Sequence, residues 1–227
     1  MSYHFKNFKI TGFTLAEVLV TLAVIGVLAA ITIPTLLQNT QERELKTAFK
    51  KAYSDIAQAT QKIILENGGT MIGICTTHDH NCLKDKYAVN LNVIKNCKTG
   101  QTIGNCWHKN DGSTKYLSGH IRSDWGETAS LILNNSVMIK QNMLDSTCKN
   151  NNYSPKGACG YMTVDINGFK KPNIVGKDIF YIHIHDNGIS PFGTPDDDTN
   201  SVSRSTSCSK GQAGLGCAAL ALQDIDY

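Results

Sequence analysis

The stretch GFTLAEVLVTLAVIGVLAAITIPTLL, residues 12–37, decides the fold of this 227-residue chain. Its one charged residue is Glu17, and the run from Val18 to Leu37 carries no charge. About 20 apolar residues are the length that a helix needs to cross a lipid bilayer. Residues 1–12 contain two lysines and no acid, which favours a cytoplasmic N-terminus and export of the remainder. The stretch therefore predicts a single membrane-spanning helix.

A helical pattern continues beyond this stretch. Apolar residues recur at steps of three and four, the helical period, and charged residues occupy the opposite face. Asn67-Gly68-Gly69 predicts the end of the helix, because glycine suits the left-handed conformation just after a helix. The apolar positions are Leu45, Ala48, Phe49, Ala52, Tyr53, Ile56, Ala59, Ile63 and Ile64.

The remainder is polar and predicts a small antiparallel sheet. Ser130–Ile139 has two apolar runs around Asn134-Asn135, typical of a hairpin, and residues 161–166 and 178–185 are further strands. A last short strand is expected at Cys217–Leu222, and an irregular region at 69–126. The predicted fold class is α+β, with a long N-terminal helix packed on a small antiparallel β-sheet with disulfide-stapled loops.

Cysteine usage indicates an oxidising compartment. The eight cysteines all follow the apolar stretch and form four neighbouring pairs in sequence. Such an even set predicts disulfides. About 105 pairings are possible; pairing of neighbours is preferred and the others stay open. The cysteines are Cys75, Cys82, Cys97, Cys106, Cys148, Cys159, Cys208 and Cys217.

The first quarter of the chain resembles a known family. Gly12-Phe-Thr-Leu-Ala-Glu17, after a short lysine-bearing leader and before a long apolar run, is similar to the prepilin signal of type IV pilins and type II secretion pseudopilins. The resemblance implies cleavage by a prepilin peptidase between Gly12 and Phe13, and N-methylation of Phe13. Pro34 falls where this family often has a helix-kinking proline. The expected organisation is a leader at 1–12, a transmembrane and fibre-core helix at 13–37, an amphipathic continuation at 38–68 and an exported β-rich domain at 69–227.

The resemblance also implies the function. The chain is expected to be a structural subunit of a type IV pilus or a type II secretion pseudopilus, and not an enzyme. Its expected place is the bacterial inner membrane, crossed once with the N-terminus cytoplasmic, and then a periplasmic or cell-surface fibre. The implied partners are other pilins, the prepilin peptidase and the pilus or secretion assembly machinery.

Glu17 has two interpretations. A carboxylate near the membrane is costly and is usually retained for a function. After cleavage it can neutralise the new ammonium of Phe13 on a neighbouring subunit, which makes it an assembly residue. By position alone, Glu17 is equally an acid at the membrane interface. Pro34 is likewise either a point where the helix bends during assembly or a tolerated kink.

An ordinary secretory signal peptide is the competing interpretation of the N-terminus. Val27-Leu28-Ala29 has the small-residue form of a conventional cleavage site. Glu17 within the apolar core and apolar residues continuing to Leu37 count against it. The two interpretations predict different mature N-termini, Phe13 and Ala30.

The sequence offers two candidate metal sites, but no cofactor is required. A disulfide is the alternative for the first, and solvated acids in turns are the alternative for the second. Cys75, His78, His80 and Cys82 combine zinc-binding side chains in a short span, as in a secreted zinc-binding protein. Asp165, Asn167 and Asp178 offer the oxygen ligands that calcium prefers. His183 and His185 alternate along a strand and are assigned to its solvent face.

Nucleic acid is not an expected partner, because the net charge is only +3 and the isoelectric point about 8.4. A DNA-binding minor pilin remains the alternative function. It would use a strip of basic residues consisting of Lys95, Lys98, Lys109, Lys115 and Arg122.

Overall fold

The long N-terminal helix is the first element of the structure. The computed structural model describes residues 12–149, 157–195, 197, 205–209 and 211–225. Helix α1 covers Leu15–Glu66 and contains Pro34. It ends where the sequence predicts, since Gly68 and Gly69 have positive φ angles and the Gly69 N–H donates to the carbonyl of Ile64 at 2.8 Å.

The chain divides into two units, Met1–Glu42 and Arg43–Tyr227. In the described part of the first unit, the helix segment Leu15–Pro34 is predominantly apolar and its residues are not buried. The second unit begins inside α1 because Phe49, Ile56 and Ile63 belong to its hydrophobic core. The amphipathic half of the helix is thus part of the globular unit.

The globular unit is built on an antiparallel sheet. The strands are β1 (Val93–Cys97), β4 (Ser130–Leu133), β5 (Met138–Met143), β6 (Ala158–Asp165), β7 (Ile179–His185) and β8 (Ile189–Pro191), in the spatial order β1-β4-β5-β6-β7-β8. A small hairpin, β2 (Thr114–Lys115) and β3 (Ile121–Arg122), stands apart from it. The α+β prediction is confirmed, and so is the hairpin between β4 and β5.

Two hydrophobic clusters cover the two faces of the sheet. On the inner face, α1 packs against alternate strand residues, and Phe49 stacks on Phe180 with ring centroids 4.1 Å apart. The outer face packs Met138, Ile179 and Tyr181 against Trp107 and Trp125. The two indoles come from the connection between β1 and β4, which therefore lies over the sheet.

Two local predictions are wrong. Residues 69–126 contain helix α2 (His80–Asn90) and strand β1. The Asp79 side chain begins α2 by accepting the N–H of Cys82 at 2.9 Å. Cys217–Leu222 is helix α3 and not a strand. Three of its six residues are alanine, the best helix former, which favours a helix over a strand at these positions.

Candidate functional site

The expected cleavage site lies just before α1. Gly12, Phe13 and Thr14 precede the first helical residue, and the Phe13 side chain is 89% exposed. A Cβ placed on Gly12 would meet no heavy atom of the described residues within 4 Å, apart from its chain neighbours. The fold of the chain therefore does not require glycine at this position. A requirement for glycine would have to come from an enzyme that approaches the backbone here.

Thr14 and Glu17 form a reciprocal capping box at the start of α1. The Thr14 Oγ1 accepts the backbone N–H of Glu17 at 3.2 Å. The Glu17 Oε2 in turn accepts the backbone N–H and the hydroxyl of Thr14, both at 2.9 Å. Each residue satisfies a helix-start N–H that would otherwise have no partner. Thr14 thereby holds the Glu17 carboxylate at the first turn, close to Phe13.

The sequence analysis did not identify Thr14 as the capping partner of Glu17. The signal was present, because a threonine followed three residues later by glutamate before an apolar run is the capping-box pattern. The sequence analysis gives Glu17 either a partner on another subunit or a place at the membrane interface, and neither interpretation includes Thr14. In the single chain its carboxylate already has two donors from Thr14.

The apolar segment after the capping box is exposed. Leu15–Pro34 has a mean hydropathy of 2.4, and by length and composition it can cross a membrane. Side chains such as Val20, Ile31 and Leu36 are more than half exposed. So large an apolar surface on all sides of a helix requires lipid or other apolar helices around it.

Pro34 lies within this helix without ending it. Since proline has no N–H, the bond to the carbonyl of Ala30 cannot form. The helix therefore has one fewer hydrogen bond at the end of its apolar segment. Both interpretations of Pro34 are compatible with this geometry.

The eight cysteines pair as sequence neighbours. The disulfides are Cys75–Cys82, Cys97–Cys106, Cys148–Cys159 and Cys208–Cys217. This is the pairing that the sequence analysis prefers. The zinc hypothesis is wrong for the oxidised chain, because both thiols of the span are in one disulfide and His80 Nδ1 accepts the N–H of Met143 at 3.0 Å.

The residues considered for calcium lie at one loop but bind protein groups. Asp165 Oδ2 is 2.7 Å from His108 Nε2, and its other oxygen accepts the N–H of Asn167. Asp178 accepts the N–H groups of Asn173 and Ile174 at 2.7 and 2.6 Å. Burial raises the pKa of Asp165 to about 7 and also raises the pKa of Asp178. These carboxylates organise the loop between β6 and β7.

In the described part of the chain, no three His, Cys, Asp or Glu side chains are grouped to hold a metal ion.

His183 is not on a solvent face as predicted. It is 1% exposed, its Nε2 is 2.9 Å from Asp197 Oδ1, and its ring stacks on Phe192 at 3.8 Å. His185 Nε2 pairs with Ser190 Oγ at 2.7 Å. The segment after β8 covers this end of the outer face, and burial lowers the pKa of His183.

The basic strip considered for DNA binding is incomplete. The Arg122 guanidinium lies 4.2 Å from the Trp125 ring centroid and its side chain is mostly buried. Lys95 Nζ donates to the carbonyl of Asn105 at 3.1 Å. Arg122 therefore faces the protein and does not contribute to an open basic surface.

Comparison with known protein families identifies a motif at the N-terminus. Residues 7–33 match the family model of the prokaryotic N-terminal methylation motif. The matched range contains Gly12, Phe13 and Glu17 and ends one residue before Pro34. No curated protein and no solved structure matches the chain.

Proposed function

We propose that this chain, which carries the processing signature of type IV pilins and pseudopilins, is a structural subunit of a type IV pilus or a type II secretion pseudopilus. It is a pilin-like protein and a substrate of prepilin peptidase. The observation that carries the proposal is the coincidence of this motif with an exposed apolar helix segment. One segment thus combines a processing signal with a surface that must be covered.

The processing step is proposed to cut between Gly12 and Phe13. The exposure of Gly12 and Phe13 supports it, and so does the absence of described atoms near a Cβ at Gly12. Cleavage turns the amide nitrogen of Phe13 into an amine, which is then N-methylated. The product has a positive charge at the first residue of an apolar segment.

Assembly is proposed to bury that charge against a carboxylate. In a bundle of apolar helices, an unpaired ammonium or carboxylate would each cost several kcal/mol of desolvation. Glu17 of one subunit can neutralise the Phe13 amine of the next, which sets the axial register between them. The Thr14 hydrogen bonds support this role, because they fix the carboxylate at the helix start before assembly.

The remainder of the subunit is proposed to form the exterior of the fibre. Pro34 is a point at which the helix can bend while the segment moves from lipid into the fibre core. The four disulfides favour a periplasmic or cell-surface location, since such bonds persist in oxidising compartments.

A fibre-incorporation assay tests the proposal. Cells that lack the gene are complemented with the parent chain, Glu17→Gln or Glu44→Gln, and fibres sheared from the surface or overproduced from the periplasm are quantified by immunoblotting and electron microscopy. Glu44 is the matched control because it is an exposed glutamate on the same helix. We expect the parent and Glu44→Gln in fibres and Glu17→Gln retained in the membrane.

Equal incorporation of Glu17→Gln would refute the charge-pairing role. Absence of the parent chain from every fibre preparation, with the processed protein present in the membrane, would refute the subunit role itself.

A further inference from the structure

A row of polar side chains crosses the outer face of the sheet. Ser130 of β4 is the registered partner of Lys140 on β5, and Lys140 is the partner of Thr163 on β6. Thr163 is in turn the partner of Tyr181 on β7. All four are buried, and Lys140 is only 5% exposed. Directly opposed residues on neighbouring strands have adjacent side chains, so the row is continuous.

A second cation lies over this row. Arg122 of β3 has its Cζ 4.2 Å from the Trp125 ring centroid and 5.8 Å from that of Tyr181. Lys140 Nζ is 5.8 Å from the same Trp125 ring. One indole therefore contacts two positive charges. An aromatic face attracts a cation but carries no net charge to neutralise it.

Among the described residues, the two acids that act on these cations, Asp124 and Glu127, are both exposed. Asp124 is 70% exposed, and its Oδ1 lies 3.3 Å from Arg122 Nε. Glu127 is exposed and accepts the N–H of Thr102. Burial, and secondly Arg122, lower the pKa of Lys140 to about 8. That direction fits an ammonium without a buried counter-ion.

Several donors around the two cations also have no hydrogen bond. Among the described residues, the Ser130 Oγ is buried without a hydrogen-bond partner. The Tyr181 hydroxyl and Arg122 Nε are also buried without a well-formed bond, although the Thr163 side chain interacts with Tyr181 and Asp124 Oδ1 lies 3.3 Å from Arg122 Nε. Trp107 Nε1, on the indole that packs against Trp125, is in the same state. Buried donors are nearly always paired in folded proteins, and each unpaired donor is costly. Together these groups are a set of buried donors whose hydrogen bonding is incomplete.

We propose that Lys140, Arg122, Ser130 and Tyr181 form a binding site for a small oxyanion, here called the oxyanion site. The ligand class is a carboxylate or a phosphate from solution. A guanidinium presents two parallel N–H groups that match two oxygens of such an anion. Lys140 supplies the second charge, and the two hydroxyls donate to the remaining lone pairs. The site is independent of the fibre role of the N-terminal helix.

Thermal unfolding of the full-length chain in detergent tests the oxyanion site. Melting temperature is measured at one pH and ionic strength in sodium chloride, sodium acetate and sodium phosphate. A carboxylate site responds to acetate and a phosphate site to phosphate. We expect one of them to raise the melting temperature by about 5–10 °C over chloride when its concentration is about 100 times its Kd.

Three variants locate the effect. Lys140→Met removes the buried charge and is expected to lose the oxyanion-dependent increment. Tyr181→Phe removes one donor with little change in shape and is expected to lose part of it. Lys115→Met is the matched control, since Lys115 is exposed on the hairpin that carries Arg122. It is expected to keep the full increment.

The outcomes are decisive in both directions. The site is supported if the oxyanion raises the melting temperature of the parent and of Lys115→Met, does not raise that of Lys140→Met, and raises that of Tyr181→Phe by less. Equal melting temperatures of the parent in all three salts overturn it, and so does an increment that Tyr181→Phe keeps in full. If Lys140→Met does not fold, Tyr181→Phe and Ser130→Ala decide by the same criterion.

Discussion

Replacing Gln141 with methionine is expected to stabilise the globular unit. Gln141 is on β5 between Ile139 and Met143, whose side chains belong to the inner hydrophobic cluster. Its side chain is 0% exposed, and neither Nε2 nor Oε1 has a hydrogen-bond partner in the described part of the chain. The structure thus places a carboxamide in an apolar core with both of its polar atoms unpaired.

The size of the gain follows from the cost of an unpaired amide. Mutational data on proteins give about 1–3 kcal/mol for burying such a group without compensation. Methionine has similar length and flexibility and adds no polar atom, so it fills the same space without leaving a large cavity. For a unit of this size, about 1–3 kcal/mol corresponds to about 2–12 °C in melting temperature.

Equilibrium urea unfolding of the oxidised protein, followed by tryptophan fluorescence, measures the change. Gln101→Met is the matched control, because Gln101 is exposed and an exposed substitution changes the free energy of unfolding by about 0.5 kcal/mol or less. A loss of stability in Gln141→Met would refute the reasoning. It would mean that the amide is paired, for example by a buried water.

Two further predictions concern the core and the pH dependence. Phe49→Ala removes the ring that stacks on Phe180 and is expected to lower the free energy of unfolding by about 3–5 kcal/mol in the same urea experiment. Leu65→Ala is the control, because Leu65 is 75% exposed. It should change the free energy of unfolding by about 0.5 kcal/mol or less. Burial lowers the pKa of Lys140 to about 8 from its ordinary value of 10.5. Between these two pH values the unfolded chain therefore binds more protons than the folded chain. The free energy of unfolding in chloride buffers should consequently rise with pH over this range. Lys140→Met should remove that rise, and an identical pH dependence in the parent and the variant would contradict the assignment.

The parts of the fold that were predicted correctly depend on local pattern. The run from Val18 to Leu37 and the helical period after it specify one long helix, and Asn67-Gly68-Gly69 contains its end. The hairpin at Asn134-Asn135 is likewise a signal of a few adjacent residues. Such features are determined by residues within a few positions of one another.

The features that were missed depend on contacts that are distant in sequence. Lys84 lies on the buried face of α2, and its ammonium donates to Asn96. Because this buried position is a lysine, the sequence does not show a helical pattern of apolar residues there. His183 lies on the face of β7 that the alternation of side chains predicts. That face is not exposed to solvent, because Phe192 and Asp197 cover it. A pattern gives the side of a sheet on which a residue lies, and the covering segment is known only from the structure.

The sequence names residues for the candidate site but does not give their geometry. Gly12, Phe13, Glu17 and Pro34 were identified from sequence, and these assignments stay predictions. The hydrogen bonds of Thr14 to Glu17 add a positioning partner within the same chain. Thr14→Val removes the hydrogen bonds of the Thr14 hydroxyl and is expected to destabilise the start of α1 by about 1 kcal/mol. Circular dichroism of the protein in micelles would show this as a loss of helicity.

The mature N-terminus, measured by mass spectrometry of the membrane-bound protein, tests the account most directly. We expect a species that begins at N-methylated Phe13, and accumulation of uncleaved precursor in Gly12→Val, since a Cβ at this position meets no described atom within 4 Å apart from its chain neighbours. Recovery of only the intact precursor, or of a chain that begins at Ala30, would contradict it.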